Sequence, residues 1–141
     1  MIPRYATSDM ENIWSIENKY KIWLEIEILA CEGLEKLNKI PRGTSKIIRD
    51  KSNFQVDKIL EIENKTKHDV IAFLTNVADY VGPESKYIHQ GLTSSDILDT
   101  GLSIQLRDAT NLLIKNLKIL LNSLKEKALI NKTLITIGRS H

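Results

Sequence analysis

The sequence predicts an all-α protein. Apolar residues recur at steps of three and four over long stretches, above all between Thr93 and Ala128, where no proline intervenes. Breaks of the Pro and Gly type, Ile40-Pro41-Arg42-Gly43 and Gly82-Pro83, separate these stretches. With 42% hydrophobic and 27% charged residues, the 141-residue chain has the composition of a globular protein and the length of one ordinary domain.

The elements follow in order. Ser8 and Glu11 form a capping-box pattern, so a helix is expected to begin at Ser8. Ile16, Tyr20, Trp23, Ala30, Leu34 and Leu37 then lie on one face of a long helix, and Ile22, Ile26 and Leu29 add a second apolar face. After the turn at 40–43, Ile47 and Ile48 mark one short helix, and Val56, Ile59, Leu60 and Ile62 mark another. A third is expected from about Thr66, with Thr66 and Asp69 as its capping box and Val70, Ile71, Phe73, Leu74, Val77 and Tyr80 along it, until Gly82-Pro83 stops it.

From Thr93 to about Ala128 the stripe Leu98, Leu102, Leu106, Ala109, Leu113, Leu117, Leu120 and Leu124 predicts one helix of roughly 50 Å with this stripe as core. Leu112, Ile114, Ile119 and Leu121 make its second half apolar on other sides as well, so it needs partner helices on two sides. A short β-branched stretch, Leu134-Ile135-Thr136-Ile137, leads to Gly138-Arg139-Ser140-His141. No second long helix covers the first, and the sequence reads as cut short or as dependent on other subunits.

Charge and motifs exclude several classes. The net charge is only +2, with both signs interleaved and no basic stripe carrying aromatics, which argues against a nucleic-acid partner. No window approaches the ~20 apolar residues of a membrane span, and residues 1–20 hold no secretory pattern, so no membrane and a reducing cytoplasm are expected. The single cysteine, Cys31, lies in an apolar run and reads as a buried structural thiol. His, Asp and Glu are too scattered for a metal site, and neither a Gly-rich phosphate loop nor a Gly-x-Ser-x-Gly elbow is found.

What remains is three imidazoles, each beside polar groups at a helix start or loop. His68 follows Thr66-Lys67, His89 sits in the 82–92 connection, and His141 follows Arg139-Ser140. The segment Gly91-Leu92-Thr93-Ser94-Ser95-Asp96 opens the longest helix, where free N–H groups and the helix dipole receive a carboxylate or phosphate. Ordinary capping is the simpler reading at Thr66 and Thr93 when spacing alone is considered.

Four stretches, Ile2-Pro3-Arg4-Tyr5, Lys67-His68-Asp69-Val70-Ile71-Ala72-Phe73, His89-Gln90-Gly91-Leu92-Thr93-Ser94-Ser95-Asp96 and Gly138-Arg139-Ser140-His141, resemble the adenylosuccinate lyases of the fumarase and aspartase superfamily. The resemblance covers essentially the whole chain, as an amino-terminal portion. It implies a small helical domain over 1–92, then at 93–141 the incomplete start of a central helical-bundle domain in a cytoplasmic homotetramer whose active sites are shared between subunits. It also implies elimination of fumarate from adenylosuccinate, giving AMP, and from SAICAR, giving AICAR, with no cofactor and no metal.

Carried over by position, Arg4 and Tyr5 are expected to hold the nucleotide phosphate, Lys67, His68 and Asp69 to line the substrate site, and Thr93 and Ser94 to bind the succinyl carboxylate. His141 is the expected general acid, with His68 near the reacting region and His89 a further site member. Lys67 stands where many relatives have Arg, and Ser140 where many have Thr. The serine expected to act as base lies beyond position 141, so the segment alone is expected to be inactive. The alternatives are another lyase of the superfamily, such as argininosuccinate lyase or aspartase, and a non-catalytic helical oligomerisation module.

Overall fold

The computed structural model describes residues 2–141, and among them every regular element is helical. A 3-10 turn at Pro3–Tyr5 precedes α1 (Ser8–Ile13), α2 (Ile16–Lys36), α3 (Thr44–Lys51), α4 (Val56–Thr66) and α5 (Asp69–Val81). A 3-10 segment at Gly82–Tyr87 then leads to α6 (Ser94–Ile130).

The helix expected to run unbroken from Ser8 is two helices. Thr7 is the N-cap residue and its carbonyl accepts the Glu11 N–H, so the Ser8–Glu11 capping box does not form. The break comes at Ser15, whose hydroxyl accepts the Asn18 N–H at 3.1 Å and donates to the Asn12 carbonyl at 2.9 Å. A serine that satisfies backbone groups on both sides ends one helix and starts the next. In α2 the buried face is Tyr20, Trp23, Glu27, Ile28 and Cys31, while Leu37 lies past the helix end and is exposed.

Two of the four later helix starts are capped from a distance. The N-cap residue of α3 is Gly43, at φ +87°, which has no side chain to offer. The Glu35 carboxylate of α2 supplies the acceptor, taking the Gly43 N–H at 2.7 Å, the Ser45 N–H at 3.0 Å and the Ser45 hydroxyl at 2.6 Å. Buried Asn76 of α5 likewise accepts the Gln55 N–H at the entry to α4. Arg49 of α3 forks onto Glu25 at 2.8 and 2.9 Å and reaches Glu32, both on α2.

The core forms where α2, α5 and α6 meet. Tyr20 and Phe73 stack with centroids 5.5 Å apart, Trp23 stands edge-on to both, and Phe54 closes the side. Each such pair contributes about 0.5–1.5 kcal/mol beyond its buried area. Ile48, Ile59, Val77 and Ile97 complete the core with no exposure.

The first half of α6 joins this body through Ile97, Gly101, Gln105 and Ala109, a row at every fourth residue. Of the stripe expected as core, Ala109 is buried in this row and Leu98 packs against the core. Leu102, Leu106, Leu113, Leu117, Leu120 and Leu124 are about half-exposed or more in this chain. Small side chains explain the choice, since Gly101 lets the helix approach Trp23 so closely that an added Cβ would stand 3.1 Å from the indole ring. Gln105 fixes the same face by donating to the Ile13 carbonyl at 2.8 Å. Beyond α6, residues 134–137 have no regular structure and are exposed.

Two outcomes follow for the complete protein. Gly101→Val forces a branched side chain against an indole that cannot retreat, and lowers stability by about 1–3 kcal/mol; an unchanged thermal midpoint would contradict this packing. The Ser45 hydroxyl, then the Gly43 and Ser45 N–H groups, hold the Glu35 carboxyl below its usual range. A depressed carboxylate stabilises the fold above its unfolded pKa and loses that contribution as pH falls. Between about pH 5 and pH 3, the wild type should therefore lose thermal stability more steeply than Glu35→Gln.

Candidate functional site

Two helix entries hold most of the candidate residues. At the first, Thr66 ends α4, Lys67 turns the chain in the left-handed region at φ +54°, and His68 becomes the N-cap residue of α5. The expected capping box of Thr66 with Asp69 is absent because the helix starts later. Thr66 Oγ1 donates to the His68 carbonyl instead, and Asp69 Oδ1 accepts the Val70 N–H at 2.7 Å. His68 Nδ1 faces the Ile71 N–H at 3.4 Å and lies 3.6 Å from Asp69 Oδ1. A ring nitrogen that accepts a backbone N–H carries no proton, so any His68 proton of a neutral ring lies on Nε2. Lys67, His68 and Asp69 thus share one partly exposed corner.

The second entry is the turn into α6. His89, at φ +64°, and Gly91, at φ +75°, reverse the chain, and Thr93 caps the helix while Asp96 Oδ2 accepts the Thr93 N–H at 2.8 Å. Ser94 is the first helical residue. A helix of 37 residues begins here, so its free N–H groups and dipole favour an anion.

Two side chains one turn apart on α2 clasp this connection. Cys31 Sγ donates to the Tyr87 carbonyl at 3.5 Å, its thiol pushed up to about 11 by burial and then by Glu27. Glu27, 1% exposed, accepts the His89 N–H at 2.9 Å and meets His89 Nδ1 at 2.6 Å. Burial raises the Glu27 pKa, and the hydrogen bond from His89 opposes that rise. Glu27 was not among the candidates from sequence. Its one signal there is a carboxylate placed between Trp23 and Cys31 on the face that turns inward.

The remaining candidates stand apart. Arg4 lies over the ring of exposed Tyr5, 4.7 Å from its centroid. His141 is exposed, its carbonyl accepting from Arg139 Nε at 2.6 Å. Among the described residues no hydrogen bond or ion pair links Arg4–Tyr5, the Lys67–Asp69 corner, the Thr93–Ser94 entry and His141 to one another. No three His, Cys, Asp or Glu side chains converge among the described residues as a metal would require, and no helix is long and apolar enough to cross a membrane.

The chain is similar to known proteins along its whole length. It is 44% identical over 141 residues to the adenylosuccinate lyase of Bacillus subtilis (strain 168). It is 45% identical to that of Streptococcus mutans serotype c and 43% to that of Staphylococcus saprophyticus, in each case over all of this chain and 33% of the relative. The chain thus spans about a third of the length of the curated relatives it matches. Its fold is similar to the crystal structure of fumarate lyase from Mesorhizobium sp. BNC1, with a TM-score of 0.88 and 20% identity over 96% of this chain and 33% of that one. The model of the lyase family matches residues 4–141, and the chain belongs to that family.

Proposed function

We propose that this chain is the amino-terminal part of an adenylosuccinate lyase, which eliminates fumarate from adenylosuccinate to give AMP and from SAICAR to give AICAR. The identity of 43–45% to adenylosuccinate lyases across every residue carries this reading. The reaction breaks a carbon–nitrogen bond, with a base taking the proton β to the leaving nitrogen and an acid protonating that nitrogen.

The roles follow from chemistry and position. Arg4 and Tyr5 hold the nucleotide phosphate, the guanidinium through charge-assisted hydrogen bonds. Lys67, His68 and Asp69 line the substrate, and Thr93 and Ser94 bind the succinyl carboxylate at the α6 start, where hydroxyls, N–H groups and the dipole all favour a negative group. His141 is the general acid, and His89 is a further member of the site. The base is supplied by residues outside this segment, and neither a metal nor an organic cofactor takes part.

Chain geometry supports a site shared between subunits, which in this reading are those of a cytoplasmic homotetramer. From Ser94 to Ile130, α6 spans about 54 Å at about 1.5 Å per residue. Residues 131–141, even fully extended backwards, return at most about 40 Å. Thr93–Ser94 and His141 of one chain therefore stay more than about 10 Å apart, and a second copy brings them to one substrate. The apolar sides of α6 supply the contact, which divides the chain into a helical body over 1–92 and a bundle segment over 93–141.

Absorbance on adenylosuccinate or SAICAR tests the reading in the complete protein; no change with either substrate would refute it. His141→Gln should lower kcat by roughly a hundredfold or more, and wild-type turnover in that variant would remove the acid role. A second assay addresses the segment itself. Residues 1–141 alone should show no turnover, and measurable turnover would mean that base and acid both lie within it.

A further inference from the structure

Glu27 is the one charged side chain buried among the described residues, and its single ionic partner is His89. A carboxylate removed from water without a partner costs several kcal/mol or more, so its surroundings must compensate it. Both of its oxygens are used on one residue. Oε2 takes the backbone N–H of His89 at 2.9 Å, and Oε1 lies 2.6 Å from ring atom Nδ1. This double hold fixes the left-handed backbone of His89 and the plane of its imidazole together.

A proton lies between Oε1 and Nδ1, which leaves Nε2 as the ring nitrogen open to a ligand. Nε2 has no hydrogen-bond partner among the described residues and is not buried, and the His89 side chain is 23% exposed. The His89 carbonyl accepts the Leu92 N–H, closing the turn that delivers Thr93, so the backbone of His89 and the helix start are close neighbours. An anion at Nε2 would sit the ring between two negative groups, where both nitrogens carry protons and Nε2–H donates. The Cys31 thiol, one turn further along α2, is the other titratable group packed against Glu27.

We propose that Glu27 is a positioning residue of the active site, which holds His89 by Nδ1 and the backbone so that Nε2–H is presented to an anionic oxygen of the substrate beside the Thr93–Ser94 entry. This rests on the reading of the chain as part of an adenylosuccinate lyase. Gln at position 27 keeps the size and the acceptor for the His89 N–H, but its amide N–H would donate to Nδ1 and force a neutral ring.

The experiment compares KM and kcat for adenylosuccinate in the complete wild-type enzyme, Glu27→Gln, His89→Gln and the double variant. Glu27→Gln should raise KM roughly tenfold or more with a smaller fall in kcat, the scale of a lost charge-assisted hydrogen bond. In the His89→Gln background it should add nothing. An unchanged KM in Glu27→Gln, or an equal further loss in the double variant, overturns the proposal.

Ring nitrogen NMR on the free wild-type enzyme labelled in histidine gives a second arm that needs no variant at position 27 to fold, His89 being identified by its loss in His89→Gln. Nδ1 of His89 should be protonated; a ring protonated on Nε2 alone overturns the proposal whatever the kinetics. A wild-type enzyme inactive on adenylosuccinate and SAICAR refutes the proposed function instead, and leaves the NMR result to judge the hold on His89.

Discussion

Trp23 stands where three helices meet, and the body of the protein depends on how closely they approach it. Its indole is edge-on to Tyr20 of its own helix and to Phe73 of α5, and its Cδ1 and Nε1 press against Gly101 of α6. The aromatic contacts order the core, while the absent side chain at Gly101 sets the distance of α6. That distance lays the connection before α6 over α2, where Glu27 meets His89 and Cys31 meets the Tyr87 carbonyl. Core packing and the placement of the candidate site are therefore one arrangement.

A second theme is the use of side chains from one helix to satisfy the ends of another. Glu35 serves the start of α3, Asn76 the entry to α4, and Glu27 the turn before α6. A local cap needs only a nearby hydroxyl, whereas a borrowed one exists only when two helices are already packed. Such caps tie secondary structure to tertiary structure, so these connections order together with the core. For the turn at 89–92, a buried group of the body adds its hold to the loop's own bond between the Leu92 N–H and the His89 carbonyl.

How much of this was legible in the sequence depends on how local the signal was. The all-α class, the turn at 40–43, the α4 and α6 helices and the buried Cys31 all follow from periodicity, Pro and Gly, because those signals act within a few residues. Two caps were misread at Ser8 and Thr66, where the pattern fits but a neighbouring residue, Thr7 or His68, takes the position. Within the α6 stripe, Ala109 and Leu98 pack in the body while the other leucines stay open in the single chain, because contact with α2 requires small residues such as Gly101 and Ala109, and that preference is set by distance between helices. Of the candidate site, the residue types at the helix entries could be read directly; the role of Glu27 could not, since a pairing across 62 positions leaves no mark in spacing.

Cys31 has a use that its structural role does not suggest. With the thiol buried and its pKa pushed up to about 11, almost no thiolate is present near neutral pH to attack a maleimide or disulfide reagent. The group over it is the Tyr87 carbonyl of the connection, bound by Cys31 itself. Reactivity at this sulfur therefore measures how often that connection lifts from α2, which makes the chain's single thiol a chemical clock for the opening of the segment that leads into α6.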